Sequence, residues 1–169
     1  MAMVDDKKQL SGQTMQVVSF ALGSEEYGVD IAQVKEINRM VSITHVPRAP
    51  HFMEGVINLR GQLIPIIDLR TRFGMPRAEH SKATRIVVTE VGTKRVGMVV
   101  DSVSEVLRIP IENIEDAPDM ISGVDTEYIR GVGKIADRLI IMLDLGRVIS
   151  LSEKSALVAT MESAEMVGS

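Results

Sequence analysis

The sequence predicts an all-β protein built from two similar lobes of about five short strands each. Two observations carry this. Short runs of branched aliphatic residues recur along the chain, bounded by glycine and turn residues, as buried strands are. The second half of the chain also repeats the glycine spacing of the first.

The central stretch runs from Gly55 to Leu69. Two apolar runs, Val56-Ile57 and Leu63 to Ile67, flank Asn58-Leu59-Arg60-Gly61-Gln62. Gly61 can supply the positive φ of a tight hairpin turn. Asn58 and Arg60 then stand on a stiff ribbon, and a guanidinium held there is pre-organised for carboxylates or carbonyls. Upstream, Gln16 to Leu22 reads as a strand, Gly23-Ser-Glu-Glu as a turn and Tyr27 to Ile31 as the returning strand. Ile31, Val34 and Ile37 recur every three residues, which suits one helical turn leading into a strand. Met40 to Val46 alternates weakly, as a further strand would. His51 to Glu54 reads as a short helix stopped by Gly55. Asp68 to Gly74 is a helical turn.

Downstream, Thr84 to Val91 and Arg95 to Asp101 are paired strands around Gly92-Thr-Lys. Asn113 to Gly123 is a loop. Tyr128 to Lys134 and Leu139 to Leu145 bracket a turn at residues 135–138. Residues 1–13 read as a flexible tail and 14–151 as the two-lobed domain, divided near 14–83 and 84–151. Residues 152–169 read as a helical or mobile tail.

The repeat has a register. Gly23, Gly28, Val34, Glu36 and Ile37 match Gly92, Gly97, Val103, Glu105 and Val106, 69 residues later. Gly55, Asp68 and Leu69 match Gly131, Asp144 and Leu145, 76 residues later. Each half has the size of a small SH3-like barrel. Neither is large enough to be comfortable alone, so the two are expected to share an apolar seam. Residues kept in both halves are candidates for maintaining the fold, and those found in one half are candidates for function. Asn58 and Arg60 fall opposite Lys134 and Ala136, so the ribbon chemistry belongs to the first half.

Composition excludes several classes. Aromatics are 3% of the 169 residues, so Val, Ile, Leu and Met must fill the core. There is no Cys to form a disulfide, thiolate nucleophile or zinc–cysteine site. A net charge of −4 gives no electrostatic pull toward nucleic acid or anionic membranes. An oligonucleotide-binding barrel, the alternative reading, would need aromatic platforms and a basic groove. His45, His51 and His80 lack metal-ligand spacing. No phosphate loop or nucleophile triad appears, so neither cofactor nor catalytic role is expected. Asp68 and Asp144 each precede a helical turn and read as N-caps. No apolar run reaches transmembrane length and the N-terminus lacks a signal-peptide core, so a soluble, cytoplasmic protein is expected.

The chain resembles the CheW-like family of chemotaxis adaptors from about Val17 to Ile149. The resemblance rests on Glu26-Tyr-Gly-Val-Asp-Ile31, Val34-Lys-Glu-Ile37, Gly55-Val-Ile-Asn-Leu-Arg-Gly61 with Pro65-Ile-Ile-Asp-Leu-Arg70, and Gly97-Met-Val-Val-Asp-Ser-Val-Ser-Glu-Val106. It implies two intertwined SH3-like five-stranded barrels around a hydrophobic seam. It also implies an adaptor coupling the cytoplasmic tips of transmembrane chemoreceptors to the CheA histidine kinase in membrane-associated arrays. The implied receptor groove has Val34, Glu36 and Ile37 on one side and Asn58, Leu59 and Arg60 on the other, with Val87 and Val99 as floor. The implied contact with the kinase regulatory domain is an edge of the second lobe at Tyr128, Gly131, Gly133 and Lys134.

Overall fold

The computed structural model describes residues 13–116 and 128–148. The expectations for the N-terminal tail up to residue 12, the centre of the loop around Pro118 and the tail after residue 151 lie outside them. The described chain forms eleven strands in two sheets. The first sheet has the order β8-β1-β2-β11-β10-β9 and the second β3-β6-β7-β5-β4. The strands are β1 (Thr14–Leu22), β2 (Glu25–Asp30), β3 (Val34–Arg39), β4 (Met53–Leu59), β5 (Gln62–Asp68), β6 (Arg85–Val91), β7 (Lys94–Val100), β8 (Ser102–Pro110), β9 (Ile114–Glu115), β10 (Ile129–Ile135) and β11 (Arg138–Leu143).

The expected division at residue 83 is not how the sheets are built. β1 and β2 pair with β8 and β11 from the second half, while β6 and β7 pair with β3 and β5 from the first. Each half thus lends its opening hairpin to the other half's sheet. The reason is that the links after β2 and β7 carry the chain straight across to the other sheet. Ile31–Gln33, a 3-10 turn capped by Asp30, makes the first crossing. Asp101 makes the second, its N–H bonded to the Ala21 carbonyl.

The repeat survives in three dimensions. Ile66 pairs with Gly97 in parallel, and Met142 with Gly28, at the expected spacings. Bulges fall between Met53 and Gly55 and between Ile129 and Gly131. The Asp68 N–H bonds to Phe52 O and the Asp144 N–H to Tyr128 O, at 2.8 and 2.9 Å. Both aspartates also cap: Asp68 accepts from the Arg70 N–H and the Thr71 hydroxyl, Asp144 from the Arg147 N–H.

Two local expectations are corrected. Met40 to Val46 forms no strand; it contributes a single bridge, Thr44 to Val56. Met40 and Ile43 there pack on the apolar interior of the five-stranded sheet, and the segment meets β4 only at Thr44. His51 to Glu54 forms no helix either. The Met53 N–H closes a turn onto Pro50 O, and Met53 then starts β4, because Phe52 and Met53 are both buried by neighbouring strands. Gly55 is no helix stop. Its φ is +149°, and a Cβ there would overlap the Thr44 carbonyl. Its repeat partner Gly131 lies under the Glu115 carbonyl, 2.9 Å from where a Cβ would sit. Both glycines let a neighbouring backbone carbonyl approach closely.

Three apolar clusters follow. Each sheet wraps a small interior: Ile57, Ile64, Ile66, Ile86, Val88 and Val99 in one, Val17, Leu107, Ile109, Ile140 and Met142 in the other. The third and largest lies between the sheets, with Val18, Phe20, Tyr27, Ile141 and Leu143 facing Ile67, Val87, Met98 and Val100. This is the expected seam. Tyr27 stacks on Phe20 and leans on Phe73, at 5.9 Å each, and burial pushes its hydroxyl pKa up to about 12. Polar ties close the margins of the seam. Arg70 grips Asp101 through Nε and Nη2, at 2.8 and 2.6 Å, and Asp101 also accepts from the Gly23 N–H. Arg72 donates to Val148 O and lies over the Tyr128 ring at 4.7 Å.

Gly55→Ala should therefore cost roughly 3 kcal/mol or more, since both strain and backbone overlap act there. Gly61→Ala, at φ +82° with open space around it, should cost about 1 kcal/mol. Urea unfolding of the two variants checks the ranking, and equal costs would contradict it.

Candidate functional site

β3 is an edge strand, paired with β6 alone. Its register places Val34 opposite Thr89 and Ile37 opposite Val87, with a bulge between. Thr89 and Val87 are two residues apart and share a face, so Val34 and Ile37 share one despite their spacing of three. That face looks into the seam. Val34 packs on the seam's margin, while Ile37 stands at its rim, 41% exposed. Glu36 lies opposite Val88 and therefore on the other face.

The hairpin between β4 and β5 brings Arg60 to Glu36. Leu59 pairs with Gln62, so Arg60 and Gly61 form a two-residue turn with φ of 51° and 82°. Positive φ at both central positions is the type I′ pattern, and it turns the strands with the twist of the sheet. Asn58 holds the turn by accepting the Gly61 N–H at 2.8 Å. A left-handed arginine is an expensive choice where glycine or asparagine would relax the backbone. Its side chain, 69% exposed, pairs with Glu36 through both guanidinium Nη atoms. Hydrogen bonding from the Arg60 guanidinium holds the Glu36 carboxyl below its ordinary range.

The eight expected receptor residues therefore divide. Glu36, Asn58 and Arg60 form one polar cluster. Val34 and Ile37 lie on the other face of β3, at the seam rim. Leu59 packs partly against the interior of its own barrel. Val87 and Val99 are not a groove floor. Val87 is fully buried in the seam, and Val99 lies on the opposite face of the sheet inside the barrel. Neither presents surface to a partner.

The expected kinase edge is also corrected in part. β10 is paired on both sides at Val132 and Gly133, by β11 and β9. Gly131 and Gly133 are sealed under Glu115 O and Ile109, and the Tyr128 ring is buried against Phe73 and Arg72. Lys134 remains exposed, paired with Glu115 at 3.0 Å. Its cross-strand partner Leu139 is 58% exposed. The sequence marks Leu139 only as the start of a predicted strand; its place next to the turn is the signal of its exposure. Val106, the repeat partner of Ile37, is likewise exposed at 51% on the seam face, opposite Val18.

The two halves treat one carboxylate differently. Glu36 takes its cation from the turn tip, Arg60. Glu105 lies 3.8 Å from Arg138, a strand residue that also pairs with Glu26. At the second tip stands Ala136, left-handed like Arg60 at φ 52° but without its charge.

A family model of the CheW-like domain matches residues 16–153. The chain belongs to the CheW-like family. It is 40% identical over 152 residues to a chemotaxis protein CheW of Klebsiella aerogenes, covering 89% of this chain and 91% of that one. Against a CheW of Rhizobium meliloti the identity is 35%, with 91% and 99% covered. The crystal structure of the scaffolding protein TtCheW from Thermoanaerobacter tengcongensis superimposes with a TM-score of 0.78 at 39% identity, covering 83% of this chain and 96% of that one. The CheW-like family is one of chemotaxis scaffold proteins, and the two-sheet β architecture agrees with it. Among the described residues no helix is long and apolar enough to cross a membrane.

A carboxyl pKa that is lowered in the fold stabilises above the ordinary glutamate value, and that contribution fades as pH falls through the lowered one. The Glu36 side-chain carbonyl, followed by NMR, should titrate below a usual glutamate and return upward in Arg60→Ala. An unchanged midpoint in that variant would remove Arg60 as the cause.

Proposed function

We propose that the chain couples chemoreceptor tips to the CheA histidine kinase as a non-catalytic adaptor, recruited from the cytoplasm to receptor arrays. The observation that carries the receptor half is Arg60. It is held at a strained hairpin tip, oriented by Glu36, and set beside an edge strand that exposes Ile37. Strain retained at an exposed charged residue points to use by a partner. A receptor helix laid along β3 would meet apolar Ile37 and Val34 and the Arg60 guanidinium together, the combination that groove-bound helices use.

The kinase regulatory domain, on this reading, meets the other lobe at the β10–β11 hairpin, where Lys134 and Leu139 are exposed side by side. Two separated faces on one rigid body let a scaffold hold receptor and kinase in a fixed relation. Any effect on the kinase then comes from differential contacts between its states.

Binding of a purified receptor-tip fragment and of the CheA regulatory domain tests this. Arg60→Ala should weaken receptor binding about tenfold, the loss of one central charged contact, and leave kinase-domain binding within about twofold. Leu139→Asp should do the reverse. Exchanged effects would reverse the assignment of faces, and no effect from either would remove it.

A further inference from the structure

At the end of the seam where β1 and β8 run past the first crossing lies a pocket of about 520 Å³. Its walls include Gln16, Asp30, Ile31, Arg108, Ile111 and Arg130. Arg108 stands opposite Gln16 in the β1–β8 register. It is two residues beyond Val106 and so shares the seam face. Among the described residues the Arg108 side chain makes no ion pair or hydrogen bond. Arg130 is more than half exposed, and its nearest carboxylate is Asp30 at 3.9 Å. Asp30 spends its other oxygen on the Ala32 N–H at 2.9 Å. Two guanidinium groups against one partly committed carboxylate leave the pocket with a net positive charge, in a chain whose own balance is −4.

The pocket is continuous with the proposed receptor face. Ile31 opens the 3-10 turn whose C-cap is Val34. Side chains three apart on such a turn eclipse, so Ile31 and Val34 lie in line. Both pack on the margin of the seam. From the pocket, one apolar line runs through Ile31 and Val34 to Ile37.

We propose that this pocket is a second anchoring point for the receptor helix hairpin, in which Arg108 and Arg130 take a carboxylate side chain while Ile31 and Ile111 pack its aliphatic stem. Guanidinium forks suit a carboxylate better than a point charge would. The inference rests on the receptor reading above and extends the site across the crossing onto the other sheet.

The test measures binding of the receptor-tip fragment to the full chain at low and physiological salt. The variants are Arg108→Ala/Arg130→Ala, Arg60→Ala, and Lys94→Ala as an exposed-charge control, each checked for an unchanged thermal midpoint. The double variant should lose about tenfold in affinity at low salt and less at high salt, since screening weakens the same contact in the native chain. Arg108→Lys/Arg130→Lys should recover only part, because ammonium groups keep the charge and lose the fork. If the double variant binds like the Lys94→Ala control while Arg60→Ala has lost affinity, the pocket is no part of the receptor site. A loss confined to the kinase domain also overturns the proposal. If Arg60→Ala and the double variant both bind normally, the receptor reading beneath it fails as well.

Discussion

The apolar seam between the two sheets is what the rest of the structure depends on. Each barrel interior is small, with six buried residues in one cluster and five in the other. Neither offers enough apolar burial to hold a lobe of this size on its own. The seam cluster holds far more, and it exists because each half gives its first hairpin to the opposite sheet. The crossing links tie the two sheets covalently where the packing ties them physically. A partner binding one sheet therefore acts on a body whose other sheet cannot drift. That rigidity is what a scaffold requires of its fold.

On that symmetric frame the chemistry is asymmetric. Both hairpin tips hold a non-glycine residue in the left-handed region, and both neighbouring strands carry a glutamate at the matching position. In one half the tip residue is the cation for that glutamate; in the other the tip is Ala136 and the cation is Arg138, within a strand. The duplicated turn has kept its backbone geometry while the charge has moved. The same logic explains the edges. Ile37 and Val106 occupy matching places at the rim of the seam, but only Ile37 has an arginine tip beside it.

Much of this was legible in the sequence because spacing encodes it. The glycine steps of 69 and 76 residues carried the repeat, and the strands followed from branched runs between glycines. The capping of Asp68 and Asp144 followed from their place after strands. What escaped depended on tertiary contact. The pattern of threes showed the helical turn at Ile31 and the strand after it, but the bulge between Val34 and Glu36 leaves no mark in it. Phe52 and Met53 resembled a helix before a glycine until the Thr44 carbonyl gave Gly55 another reason to exist. Val87 and Val99 looked equivalent because both are valines in adjacent paired strands, yet the one-residue offset in register sends them to opposite faces. The burial of Gly131 depended on β9, two residues long and too short to announce itself, and that of Gly133 on Ile109 of β8. Leu139 adjoins a run of buried residues, and its place beside the turn was its one local mark.

The claim that one seam makes one body is tested most directly by native-state hydrogen exchange under increasing denaturant. The slowest amides on β6 and β7 of the five-stranded sheet and on β1 and β11 of the six-stranded sheet should open with a single free energy and a single denaturant dependence. Two distinct free energies, with one sheet opening while the other stays protected, would show that the lobes hold themselves independently and that the seam is only a contact between them.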